Sequence, residues 1–126
     1  MKLEHIALSI TVPEDIKNFY QDILGMNKVK DFVLNRSLAN DIFSINKDTD
    51  VFLLQKKLVL LEIFIIDRLQ IKNFNHICLA VDNRKTVSEN AVKNGYTCIY
   101  KKKENSDLIF IKDKSGNIFE LKDKKL

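Results

Sequence analysis

Proline occurs once in the 126 residues, glycine three times and tryptophan never. Two of the three glycines, Gly25 and Gly95, directly follow helical patterns, so the few breakers present act as helix stops. Cysteine is scarce too. Cys78 and Cys98 are the only two, which excludes a disulfide framework and fits free thiols in a reducing compartment. No long apolar run is present. The most hydrophobic stretch, Leu58 to Ile66, is too short to span a bilayer and carries Glu62 at its centre. No basic segment followed by an apolar run opens the chain, so no secretory leader is expected and a cytoplasmic location is. Aromatics interleaved with basic residues on one face are also missing, which argues against nucleic-acid binding. The net charge of +4 comes mainly from Lys101-Lys102-Lys103 and from Lys122, Lys124 and Lys125. These lysines read first as solvated edges, and second as a basic rim for an anionic substrate.

What is present is a repeat. Glu4-His5-Ile6-Ala7-Leu8-Ser9-Ile10 is echoed by Asn75-His76-Ile77-Cys78-Leu79-Ala80-Val81-Asp82. The two histidines are the only ones, and they hold the same place in the two copies. Each copy reads as a strand followed by a helix. In the first, the strand covers residues 3–11. Pro13 opens a helix whose apolar face is Ile16, Phe19, Tyr20, Ile23 and Leu24, ending at Gly25. Strands are then expected over about 28–34, 41–54 (bent or interrupted near 47–50) and 58–66. After a short polar linker, 67–73, the plan restarts. A strand over 74–81 leads to a helix capped by Asp82 or Asn83, with Val87, Ala91 and Val92 as its apolar face. Strands over 96–101, 108–112 and 118–122 complete it. The pattern predicts an α+β fold of two β-α-β-β-β modules, about 1–66 and 74–126, in a single domain.

Alternation places Ile6, Leu8 and Ile10 under the first helix and His5, Ala7 and Ser9 on the opposite face. Ile77, Leu79 and Val81 against His76, Cys78 and Ala80 repeat this division. Glu62, inside an apolar strand, is costly to bury unless paired, protonated or metal-bound. Glu120 sits alike in Ile118-Phe119-Glu120-Leu121. Taken singly, a histidine at a strand start is more often structural, and a strand glutamate more often an exposed edge residue. Matched placement in two modules ties them together. Two imidazoles and two carboxylates suit one divalent first-row ion such as Zn²⁺, Ni²⁺, Co²⁺ or Fe²⁺.

These residues carry a family resemblance over nearly the full length. His5-Ile6-Ala7-Leu8, Phe19-Tyr20 through Leu24-Gly25-Met26, Leu61-Glu62, His76 to Asp82, and Asp113-Lys114-Ser115-Gly116-Asn117-Ile118-Phe119-Glu120-Leu121 resemble the vicinal oxygen chelate superfamily, and within it glyoxalase I. The resemblance implies two modules forming a curled mixed sheet around a metal. It implies His5, Glu62, His76 and Glu120 as ligands, with Glu120 as first choice for the base and Glu62 as its partner or alternative. The substrate would be the thiol hemithioacetal of a 2-oxoaldehyde such as methylglyoxal. Phe64, Leu60 and Ile66 share the face of Glu62 and would line an apolar pocket, or equally pack in the core. Where glyoxalase I has Arg and Asn anchoring glutathione, this chain has Ser9 and Ile66, which leaves the thiol open. The family's usual Pro after Asp113 is Lys114. The alternatives are a metal-dependent epimerase or thiol transferase, and a non-catalytic small-molecule-binding or resistance protein. The expected assembly is a homodimer, because a lone module leaves sheet edges and a face to be completed.

Overall fold

A computed structural model describes residues 1–68 and 74–125. The expected linker over 67–73 falls mostly outside the described residues. The chain divides into two compact units, 1–69 and 70–126.

In the first unit β1 (Ile6–Ile10) is followed by a helix over Ile16–Gln21. This helix is wider than an α-helix. The amides of Asp22 and Leu24 reach back five residues, to the carbonyls of Lys17 and Phe19. The expected apolar face holds: Ile16, Phe19, Tyr20, Ile23 and Leu24 are all buried. Gly25, at φ +71°, ends it in the left-handed region. Then come β2 (Asn27–Leu34), α1 (Arg36–Phe43), β3 (Thr49–Lys56) and β4 (Val59–Ile65). The sheet order is β1-β4-β3-β2, with β1 parallel to β4 and the other pairs antiparallel.

The segment expected as a strand over 41–54, bent or interrupted near 47–50, is interrupted: β3 covers its second part from Thr49, and helix α1 corrects its start. Asn35 caps the helix, its side chain accepting from the Leu38 amide at 2.9 Å. Ser44, at φ 60°, closes it. The apolar residues Leu38, Ala39, Ile42 and Phe43 recur at helical spacing, and Ile42 is the one β-branched residue in the segment.

The second unit repeats the plan without the inserted helix: β5 (Ile77–Val81), α2 (Arg84–Lys93), β6 (Thr97–Lys101), β7 (Leu108–Lys112) and β8 (Ile118–Asp123). Its order, β5-β8-β7-β6 with β5 parallel to β8, matches the first sheet. Asn83 is the helix cap, accepting from the Thr86 amide at 3.1 Å. The helix buries Ser88 and Ala91, whereas Val92 is exposed, so the expected face is rotated. Ser88 tolerates burial because its hydroxyl donates to the Lys85 carbonyl at 2.8 Å. No helix among the described residues is long and apolar enough to cross a membrane.

Candidate metal centre and basic cleft

Strand alternation decides what the sites contain. On β4, Leu61 and Ile63 point into the core, while Glu62 between them lies on the other face with its side chain 19% exposed. Glu62 is therefore half-buried, not sunk in the core as its apolar neighbours suggested. The parallel ladder sets Ala7 opposite Glu62. His5, one pleat before Ala7, brings its Nε2 to 3.6 Å from Glu62 Oε1. The second unit repeats this almost to the tenth of an ångström. Cys78 is opposite Glu120, and His76 Nε2 stands 3.5 Å from Glu120 Oε1. The structure thus brings the four predicted ligands together as two His–Glu pairs, one per unit. Among the described residues of either unit, no further His, Cys, Asp or Glu joins a pair to make a group of three.

The donor chemistry fits a divalent cation. His76 Nδ1 lies 2.9 Å from the Phe74 carbonyl, which can only accept, so Nδ1 carries the proton. That leaves the Nε2 lone pair facing a carboxylate oxygen. Two acceptors set face to face call for a positive charge between them, a proton or a metal ion. A histidine whose other nitrogen donates to a backbone carbonyl is the usual arrangement of a metal-binding imidazole.

Glu120 has a second neighbour, Lys122 on the same face of β8, whose Nζ lies 3.8 Å from Oε2. Together they border a cleft of about 890 Å³ that Arg84, Lys102 and Lys103 also line. The sequence pointed to two lysine runs as a rim, and Lys102, Lys103 and Lys122 converge here. Arg84, at the start of α2, gave no signal in the sequence. Its backbone N–H donates to Asp123 at 2.8 Å and its guanidinium to the Asp107 carbonyl at 2.8 Å, tying helix, loop and β8 together.

The loop before β7 is clasped by Asp107, which accepts from the Tyr100 hydroxyl and from the Lys103 amide. The Tyr100 bond holds Asp107 below the usual carboxylate range, with the Lys103 amide adding to the effect. The same bond, together with some desolvation, pushes the Tyr100 phenol up. A lowered carboxylate stabilises above its ordinary range and loses that contribution as pH falls through its shifted value. A raised phenol stabilises below its ordinary value and loses the contribution as pH rises through the shifted one. The clasp therefore persists between the two and opens in acid and in strong base. The stability difference between wild type and Tyr100→Phe should be largest at neutral pH and shrink at both extremes. Parallel denaturation curves at the three pH values check this. Burial raises both thiols; at Cys78 the charge of Glu120 adds to the rise and Lys122 opposes it.

The predicted apolar residues divide. Phe64 and Ile66 line a small cavity with Ser9, while Leu60 is half-buried two residues before Glu62 and lies outside that lining.

The chain belongs to the glyoxalase/bleomycin resistance protein/dioxygenase superfamily, whose description matches residues 2–121. Its two matched modules are those of the vicinal oxygen chelate fold. Solved structures share this fold at low identity. A glyoxalase family protein from Enterococcus faecalis is 19% identical, with 95% of each chain covered and a TM-score of 0.70. One from Bacillus cereus is 12% identical, covering 96% of this chain and 92% of its own, with a TM-score of 0.76. A mutant of the fosfomycin resistance protein FosX from Listeria monocytogenes is complexed with Mn(II) and 1S,2S-dihydroxypropylphosphonic acid. It is 19% identical over 99% of this chain and 94% of its own, with a TM-score of 0.74. A search of the curated proteins found no match.

Proposed function

We propose that the protein is a divalent-metal-dependent lyase of the glyoxalase I type. It converts the hemithioacetal of a small 2-oxoaldehyde and an anionic low-molecular-weight thiol to a 2-hydroxyacyl thioester. The observation that carries this reading is the pair of matched contacts, His5–Glu62 at 3.6 Å and His76–Glu120 at 3.5 Å, at equivalent places in two modules. These four residues would hold one ion, Ni²⁺, Zn²⁺ or Co²⁺, which when bound supplies Lewis-acid charge to neighbouring substrate oxygens. Glu120 takes the proton from one carbon and returns it to the next. His76 is kept in orientation by the Phe74 carbonyl. Ser9 and Ile66 line an apolar cavity, so the thiol's carboxylates go instead to the lysines and Arg84 beside Glu120. The protein acts as a cytoplasmic homodimer, a reading supported by two free cysteines and by exposed Val33, Ile42 and Ile45 on the first unit.

Elemental analysis after incubation with Ni²⁺, Co²⁺ or Zn²⁺ should find about one ion per His5/Glu62/His76/Glu120 set. His5→Ala and His76→Ala should each lose it, at a cost in affinity of at least the ~10–100-fold seen for removing a supporting partner. A wild type that takes up none of the three ions sinks the proposal.

One observation favours a second reading. Arg84, Lys102, Lys103 and Lys122 around Glu120 would also suit a phosphonate, and FosX shares the fold. Consumption of fosfomycin in the presence of Mn²⁺, followed by phosphorus NMR, together with no turnover of any methylglyoxal–thiol adduct, would put this reading first.

A further inference from the structure

On the first unit's site-bearing face lies a cavity of about 120 Å³, lined by Ala7 and Ser9 from β1, Phe64 and Ile66 from the end of β4, and Ala39 and Phe43 from α1. Three features of the sequence make it. Ala7 and Ser9 are small side chains on the face of His5, so they leave a floor without filling it. Ala39, fully buried, lets α1 approach closely. Phe43 meets Phe64 edge-on, ring centres 5.6 Å apart, and forms a wall. The ladder sets Ser9 opposite Phe64, one pleat beyond the Ala7–Glu62 row. Ala7 belongs both to the cavity wall and to the row of Glu62, so the cavity borders that row and runs on past Ser9, two residues of strand or about 7 Å further along.

We infer that this cavity is the subsite for a compact aliphatic substituent on a ligand whose oxygens sit at the metal. The inference rests on the metal-dependent reading above and adds the shape of the ligand's carbon end. A small space with mainly hydrocarbon walls stays dry and takes apolar groups. Its volume equals about four water-sized groups, at ~30 Å³ each, and is below the ~150 Å³ of a cavity known to admit benzene. A methyl to isopropyl group fits with room to spare, and a phenyl ring fits only tightly against Phe43 and Phe64. Helix α1 is then a specificity element, since it supplies the roof and one wall.

Simple hydroxamates test this without any turnover, because they present two neighbouring oxygens and differ only in the attached group. On Ni²⁺-loaded protein, isobutyrohydroxamate should bind about tenfold tighter than acetohydroxamate, the gain from burying two further carbons. Benzohydroxamate should be the weakest. Ala7→Val, well tolerated in a strand, should erase the isobutyro advantage, and Phe43→Ala should restore benzohydroxamate binding. Equal affinities, or an advantage that survives Ala7→Val, would overturn the assignment. Xenon reads the cavity independently of metal. Saturable shifts of the methyl signals of Ile66 and of Ile45, which also lines the cavity, support the subsite if they are lost in Ala7→Val, even if Ni²⁺ fails to bind and the metal-dependent reading falls. Unchanged methyl signals under xenon pressure reject the subsite whatever the metal does.

Discussion

Glu120→Gln should retain the fold and bind metal, yet lower kcat for a methylglyoxal–thiol adduct by ~10²–10⁴-fold with little change in KM. Gln is nearly the same size, and its carbonyl oxygen can still face His76. It cannot accept a carbon-bound proton near neutral pH. Glu62→Gln should cost less, because among the described residues Glu62 faces the His5 imidazole with no lysine beside it, whereas Glu120 lies between His76 and Lys122 at the mouth of the basic cleft. Metal content measured beside kcat separates loss of the base from loss of the ion. If Glu62→Gln is dead and Glu120→Gln is active, the two carboxylates exchange roles. If the wild type turns over no adduct of glutathione, cysteine or another small thiol, the lyase assignment fails.

A second large effect is expected at Asp113, a buried carboxylate between β7 and β8. Its Oδ1 accepts from the amides of Ser115 and Asn117 at 2.9 and 2.8 Å, and its Oδ2 from the Asn117 side chain at 2.7 Å. Gly116, at φ +89°, supplies the left-handed step of the turn. Asp113→Ala leaves three donors without their acceptor. Hydrogen bonds to a charged group are worth ~1.5–3 kcal/mol each and do not add fully, so a loss of about 3 kcal/mol is expected. Asp113→Asn keeps one acceptor oxygen and should lose roughly half of that. Urea unfolding at neutral pH measures both. The turn sets where β8 starts, and so which face Glu120 takes, so the alanine variant should also weaken metal uptake. Equal stability of wild type and Asp113→Ala would show that the turn is held by other bonds.

Much of this architecture is legible in the chain. The duplicated His-Ile-x-Leu strands, the face from Ile16 to Leu24 and the stops at Gly25 and Gly95 each rest on a local physical preference, and the structure carries them all. The sequence offers one His on the first strand and one Glu on the last strand of each module; the parallel ladder that sets each His beside its Glu is seen only in the structure. Helix α1 was hidden for a different reason. Residues 41–54 are rich in residues that suit strands, and a short apolar run does not reveal its period. Asn35 before Leu38 and Ala39 is the cue that separates the two. The rotated face of α2 shows the same limit: a helix with few apolar residues says little about which side it buries. The gathering of Arg84 with three distant lysines depends on loop geometry, which no local pattern encodes.

The strand orders have a consequence for how a bound ion would be released. Among the described residues of each unit, the histidine comes just before a strand with one neighbour in its sheet, β1 or β5, and the glutamate sits on a strand with two, β4 or β8. Each imidazole is therefore anchored through a single ladder and each carboxylate through a pair. Amide exchange should reach the histidine strands first, because a strand held on one side opens at lower free energy than one held on both. Were these residues to hold the proposed ion, the histidines would swing away first while the glutamates stayed in place. Ion capture would then begin at the glutamates and finish at the histidines, and release would run in the opposite order.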